Sequence, residues 1–236
     1  VGWRAFSWYA VVVLELFFLQ ACKAENAGTS FLNGDSAIEW VFYEDFSENW
    51  TERWAVEGAG RVFADAGWLK VEKENPDQVN EVTIWLRREI PQNFIIHMTA
   101  EVFKTEVPNA ANLNLIFNAR EADGQPVQFN RSGDYEEYHR IPNYIFTLTG
   151  GIQSGHSRIR KNPGFHLLSD RSSLRSEPGR KYELMISCNN GRIQAFVDGI
   201  CVHDVTDPNP LPGGHLALRT WNSTIAWSNI KIGQLD

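Results

Sequence analysis

The chain has 236 residues, 43% hydrophobic and 12% aromatic, enough to bury a full core in one large domain. Its formal net charge of −7, from 22 Lys and Arg against 29 Asp and Glu, argues against a nucleic-acid partner, which needs a positive footprint, while leaving room for a local basic site. Three cysteines are too few for a disulfide scaffold, and six scattered histidines without a close cysteine pair show no zinc spacing.

At the N-terminus, Arg4 precedes an apolar run over residues 10–19, and Ala21 precedes Cys22. Residues 1–22 therefore read as an export signal. Leu19-Gln20-Ala21-Cys22 resembles a bacterial lipobox, so simple secretion and a lipoprotein anchored through Cys22 are both open, the second being the only membrane contact expected. The run carries Glu15 and falls short of the ~20 apolar residues that spanning needs. Residues 23–39 are small and polar and read as a tether, which leaves 40–236 as the domain. Of the cysteines in that domain, Cys188 and Cys201 are read either as a pair or as two buried thiols.

From Trp40 onward, short runs alternate apolar with polar residues and are broken by Gly, Pro, Asn and Asp, which predicts antiparallel strands and no long helix. The clearest runs are 182–187, 192–197 and 200–205, joined by Asn190-Gly191 and Asp198-Gly199, dipeptides suited to tight primed turns. Runs 216–220 and 224–232 close the chain. This ending, with Phe196-Val197-Asp198-Gly199 and Trp227-Ser228-Asn229-Ile230-Lys231-Ile232, resembles concanavalin A-like (lectin/glucanase) jelly rolls. The expected fold is an all-β, two-sheet antiparallel jelly-roll sandwich.

Alternate residues of a strand face opposite ways, so parity separates core from surface. Val82, Ile84 and Leu86 face inward and leave Thr83, Trp85 and Arg87 outward. Phe94, Ile96, Met98, Ala100 and Val102 leave His97, Thr99 and Glu101. Leu113, Leu115 and Phe117 leave Asn112, Asn114, Asn118 and Arg120, and residues 155–161 group His156, Arg158 and Arg160. These outward sets are rich in planar hydrogen-bonding and stacking side chains, which suit sugar hydroxyls, carboxylates and pyranose faces. One concave surface shared by Trp85, His97, Glu101, Asn114, Asn118, Arg158 and Arg160 is expected. Residues 139–180 hold seven Lys or Arg, including Arg158, Arg160 and Lys161, against Asp170 and Glu177, a local +5 that fits an anionic ligand.

Two stretches, Gly133-x-Tyr135-x-Glu137-Tyr138-His139 and Arg160-Lys161-Asn162-Pro163-Gly164-Phe165-His166-Leu167, resemble a group of bacterial domains of unknown function, concanavalin A-like in fold, that occur with rhamnogalacturonan and other polysaccharide-degradation genes. Where that group often has a histidine-containing strand, this chain has Tyr144-Ile145-Phe146-Thr147. The resemblance implies an acidic polysaccharide or oligosaccharide as partner. The fold hosts lectins, hydrolases and lyases alike, so residues must decide the chemistry.

Three readings follow. A polysaccharide lyase needs a carboxylate neutraliser, a base and an acid, roles that Arg158 or Arg160, His139 and Tyr138 can fill; this is the favoured expectation. A glycoside hydrolase needs two carboxyl groups, for which Glu101 and Glu137 are the candidates. A binding module needs stacking rings, here Trp85, Tyr144 and Trp221, with Arg87, His97, Asn114, Asn118, Arg158 and Lys161 as polar partners. Convergence of Tyr138, His139 and Arg160 on one point distinguishes an enzyme from a module. No cofactor or metal site is expected; Asp45 and Asp236 are the residues offered for the calcium this fold commonly carries away from its groove.

Overall fold

The computed structural model describes residues 38–75 and 77–236. The predicted export segment, Cys22 and nearly all of the predicted tether lie outside the described residues. In chain order the elements are β1 (Glu39–Glu44), a single helical turn α1 (Trp50–Arg53), β2 (Trp54–Ala59), β3 (Arg61–Asp65), β4 (Trp68–Glu72), β5 (Glu81–Ile90), β6 (Phe94–Val102) and β7 (Leu113–Ala119). A second turn α2 (Tyr135–Tyr138) precedes β8 (Asn143–Thr149), β9 (His156–Asn162) and β10 (His166–Arg171). The chain closes with β11 (Arg180–Asn189), β12 (Arg192–Val197), β13 (Ile200–Thr206), β14 (Gly214–Trp221) and β15 (Ile225–Gln234).

The strands form two antiparallel sheets. The front sheet runs β10-β9-β8-β7-β14-β5-β2 and the back sheet β13-β12-β11-β6-β15-β4-β3, with β1 also paired to β15. The expected jelly-roll sandwich is therefore present. The turns also follow the sequence: Asn190 and Gly191 have φ of 48° and 83°, and Asp198 and Gly199 have 52° and 79°, the positive values that a primed hairpin turn demands.

Parity places the core as expected. Val82, Ile84 and Leu86 of β5 and Leu113, Leu115 and Phe117 of β7 meet Phe94, Ile96, Met98, Ala100 and Val102 of β6 between the sheets. Losing any one of the larger of these side chains to alanine costs about 2–5 kcal/mol.

The outer face of the front sheet is organised in rows that cross the strands. One row, Ala55–Trp85–Ala217–Ile116–Ile145, is apolar from β2 to β8. Left bare it would expose a hydrophobic stripe, and the chain covers it with a strap over residues 127–138, whose Val127, Phe129, Tyr135 and Tyr138 pack on it as a second core. The next row, two residues further along each strand, is polar throughout: Glu57–Thr83–Arg219–Asn114–Thr147–Arg158–Asp170.

Glu57 fastens the strap. Its buried carboxylate accepts hydrogen bonds from Trp85 Nε1 (2.7 Å), Tyr138 Oη (2.9 Å) and the Arg131 amide (2.8 Å). The turn α2 begins where Asp134 accepts from the Glu136 amide at 2.9 Å, an N-cap bond, and Glu137 accepts from the Ser132 amide and hydroxyl at 2.8 and 2.6 Å. Gly133 has φ of 95°, and a Cβ there would fall 2.4 Å from Gly58 Cα, so glycine is what lets the strap lie against β2.

Candidate functional site

Beyond the strap the polar row stays open and becomes the floor of a cavity of ≈ 280 Å³ on the front sheet. Arg219, Asn114, Thr147 and Arg158 form the floor, and Trp221, Asn112, Thr149 and His156 line it further along their strands. Tyr135 from the strap, Phe165 and Arg160 beside it, and Gln153 and Glu81 complete the wall. β-Strands of fixed register thus hold most of these groups, a rigid base for recognition.

Three guanidinium groups converge here. Arg219 is 1% exposed, donates from Nη2 to Glu81 Oε2 at 2.6 Å, and has its guanidinium carbon 4.3 Å from the centre of the Tyr135 ring. Arg158 reaches Asp170 at 3.3 Å. Arg160 lies 3.9 Å over the Phe165 ring and donates from Nη1 to the Phe165 carbonyl at 2.9 Å, but among the described residues no carboxylate pairs with it. Burial, then Arg158, pushes its ionisation below the ordinary arginine value, and it stays charged. Among the described residues, Glu81 is the one carboxylate lining the cavity. A positive site in an acidic chain is the result.

The neutral groups are ordered as well. Asn114 Nδ2 donates to Asn112 Oδ1, and Asn112 Nδ2 to Gln153 Oε1 at 3.3 Å. Burial, then Arg158, lowers the His156 pKa, so its imidazole is uncharged at neutral pH. Burial raises the Tyr135 hydroxyl, which keeps its proton.

Of the residues expected from sequence, Asn112, Asn114, His156, Arg158, Arg160 and Trp221 line this cavity together. The others do not. Trp85 and Tyr138 are on the right sheet face but lie under the strap, 5.9 Å ring to ring and fully buried, because their row is the apolar one. Tyr138 Oη is committed to Glu57, and burial raises its ionisation further. His139 packs on the far side of Phe165 at 4.0 Å and against Tyr135 at 4.3 Å, where burial, then Arg219 and Arg160, hold its pKa at about 4. Tyr138, His139 and Arg160 do not converge.

His97 and Glu101 keep their expected parity, yet β6 belongs to the back sheet, so they stand on the opposite side of the molecule, paired with Glu183 and Lys181, each at 3.3 Å. Tyr144 and Lys161 face inward because Ile145, Thr147 and Arg160 take the outer face. The Tyr144 ring packs 5.4 Å from Phe117 while its hydroxyl donates to Asp207, which also holds Lys161 at 2.7 Å. Asn118 sits at a bulge with φ of 53°, which turns its Nδ2 to the Leu211 carbonyl at 3.4 Å. Arg87 stands over Phe129 at 5.9 Å, outside the cavity. Glu137 serves Ser132. Asp45 accepts from the Ser47 amide at 3.0 Å, and among the described residues no group of three or more His, Cys, Asp or Glu stands together as a metal would require.

Arg219 was missed. Its signal was present, since Leu216, Leu218 and Thr220 facing inward leave Ala217, Arg219 and Trp221 outward on β14. Glu81, Thr149 and Gln153 flank the runs whose parity was informative, whereas Tyr135 and Phe165 come from loops that no periodicity marks.

A family model described as a domain of unknown function, DUF6250, matches residues 77–230, from just before β5 through most of β15. The chain belongs to the DUF6250 family. No curated protein matches its sequence. Among solved structures, the DUF6250 chain is similar to a Bacillus subtilis protein of unknown function with a galectin-like fold, at 17% identity and a TM-score of 0.74 over 85% of this chain and 97% of that one. It is also similar to the carbohydrate-binding module CBM66 of Bacillus subtilis, at 12% identity and 0.56 over 77% and 96%. A third similar structure is the VIP36 exoplasmic/lumenal domain in its Ca²⁺/Man3GlcNAc-bound form, at 12% and 0.57 over 82% and 88%. At these identities the likeness shows the fold.

Proposed function

We propose that this DUF6250 domain is a carbohydrate-binding module and that its front-sheet cavity holds an acidic saccharide. The observation that carries the reading is the convergence of Arg158, Arg160 and Arg219 on one cavity where, among the described residues, Glu81 is the only lining carboxylate and Arg160 has no carboxylate partner. A guanidinium fork offers a carboxylate two parallel hydrogen bonds, and the partly exposed Trp221 offers a ring for a pyranose to pack on. Similar folds in CBM66 and in the glycan-bound VIP36 domain support the choice of carbohydrate. In the same reading, residues 1–22 direct export to where polysaccharide is met.

Binding ranks ahead of lyase chemistry because the proton-transfer groups expected from sequence are dispersed, with Tyr138 under the strap and His139 behind Phe165. Calorimetric titration of the domain with uronic-acid oligosaccharides and size-matched neutral ones tests the proposal, with tighter binding of the acidic set expected. No binding of either set refutes it. Following absorbance from unsaturated products in the same mixtures decides between module and lyase.

A further inference from the structure

Arg219 of β14 and Asn114 of β7 are direct cross-strand partners at the centre of the cavity floor. They are 1% and 2% exposed, and each keeps one buried polar atom without a partner among the described residues: Arg219 Nε, a donor, and Asn114 Oδ1, an acceptor. Their other hydrogen bonds go to protein groups. Arg219 Nη2 serves Glu81 and the Gly133 carbonyl, and Asn114 Nδ2 serves Asn112. Native proteins leave few buried polar groups unpaired, because each has lost water without replacement. Here a donor and an acceptor are left over on two paired residues of adjacent strands, both of which line the cavity.

The chemistry of the missing partner follows from that pairing. A carboxylate or sulfate oxygen would satisfy Arg219 Nε and repel Asn114 Oδ1, whereas an ammonium would do the reverse. A hydroxyl both accepts and donates, and matches the two together. We infer that a ligand hydroxyl seats between Arg219 Nε and Asn114 Oδ1 while Arg160 holds a carboxylate of the same ligand, which makes the preferred ligand a uronic acid with that hydroxyl free. Asn114 is then the residue that discriminates substitution or deletion at that hydroxyl. The inference rests on the carbohydrate-binding reading and adds to it the identity of the groups that are read.

The test uses methyl galacturonide, methyl glucuronide and methyl mannuronide, their neutral counterparts, and the monodeoxy analogues of whichever uronide binds tightest. Affinities are measured on the wild-type domain and on Asn114→Ala and Asn114→Ser, with thermal unfolding as the check on folding. One deoxy position should weaken wild-type binding at least about tenfold, and the same deletion should cost Asn114→Ala little more, since the acceptor is already gone. Should the variants fail to fold, the wild-type deoxy series still reports whether any hydroxyl is read. Deoxy analogues that all bind as well as the parent overturn the hydroxyl seat, as does a deoxy penalty undiminished in Asn114→Ala. Equal affinity for neutral glycosides overturns the uronic assignment and leaves carbohydrate binding standing. Failure of every glycoside to bind removes both.

Discussion

Tyr138 and Glu57, 81 residues apart in sequence, are joined by a buried hydrogen bond of 2.9 Å that ties the strap to the edge strand of the front sheet. The same carboxylate holds Trp85 and the Arg131 amide, so one side chain fixes three elements. Replacing Glu57 with Ala takes the acceptor from three donors, two of them buried, and hydrogen bonds to a charged group are each worth about 1.5–3 kcal/mol. A loss of about 3 kcal/mol or more is expected, which for a domain of this size lowers the melting temperature by roughly 6–12 °C. Thermal and urea unfolding of Glu57→Ala check it; a change under about 1 kcal/mol would show that the strap is held by its apolar contacts alone.

The fold was legible because its evidence is local. Alternation in β5, β6 and β7 and the two Asn-Gly and Asp-Gly turns are written in a few consecutive residues. The site was legible only by halves, since parity states which way a side chain points along its own strand and not which sheet owns that strand. His97 points outward as its parity requires but from the back sheet, whereas Asn114, Arg158 and Arg160 fall together because β7 to β9 are sequential neighbours. Nor does parity show that an outward row is covered. Trp85 and Asn114 both point out from the front sheet, and only the distant strap separates a core residue from a cavity residue.

His203 makes stability depend on pH. It is 1% exposed, held between Ser157 Oγ (2.9 Å) and Ser169 Oγ (2.8 Å), and burial, then Arg171, lowers its pKa to about 4. Between the ordinary histidine value of about 6.5 and that lowered one, the unfolded chain binds a proton that the folded one refuses. Stability is therefore full above the unfolded pKa and falls as pH drops toward 4, by an amount on the order of 2–3 kcal/mol at pH 4.5. Urea unfolding at pH 7 and pH 4.5 on wild type and His203→Asn should show the smaller pH loss in the variant, and equal losses would assign the dependence to other groups.

Two tryptophans of the front sheet should answer mutation in opposite ways. Trp85 is fully buried beneath the strap with its Nε1 on Glu57, so Trp85→Ala should cost about 3–5 kcal/mol of stability. Trp221 is partly exposed at the cavity wall, so Trp221→Ala should leave stability within about 1 kcal/mol and weaken saccharide binding several-fold. Paired measurement of unfolding and affinity on the two variants separates them. A Trp221 variant with lost stability and unchanged affinity would take the ring out of the site.

Arg160 gives the sharpest test of the acidic ligand, because its two attachments are both to Phe165 and neither neutralises its charge. Stacking on the ring holds the guanidinium in one plane, which prepares the fork for a carboxylate at little entropic cost. Arg160→Ala should weaken binding of a uronic oligosaccharide at least about tenfold, from the 1.5–3 kcal/mol of a charge-assisted hydrogen bond. Binding of a neutral saccharide should hardly change. Arg160→Lys keeps the charge and loses the fork, so its affinity should fall between wild type and the alanine variant, with a salt dependence like that of wild type. The competing account gives Arg160 a scaffolding role, steadying Phe165 and with it His139 on the other face of that ring. In that case Arg160→Ala would lower the melting temperature and reduce affinity for acidic and neutral saccharides alike, because the wall they share would have moved. Selective loss of the acidic ligand from a variant of unchanged melting temperature is the outcome that the unpaired guanidinium predicts.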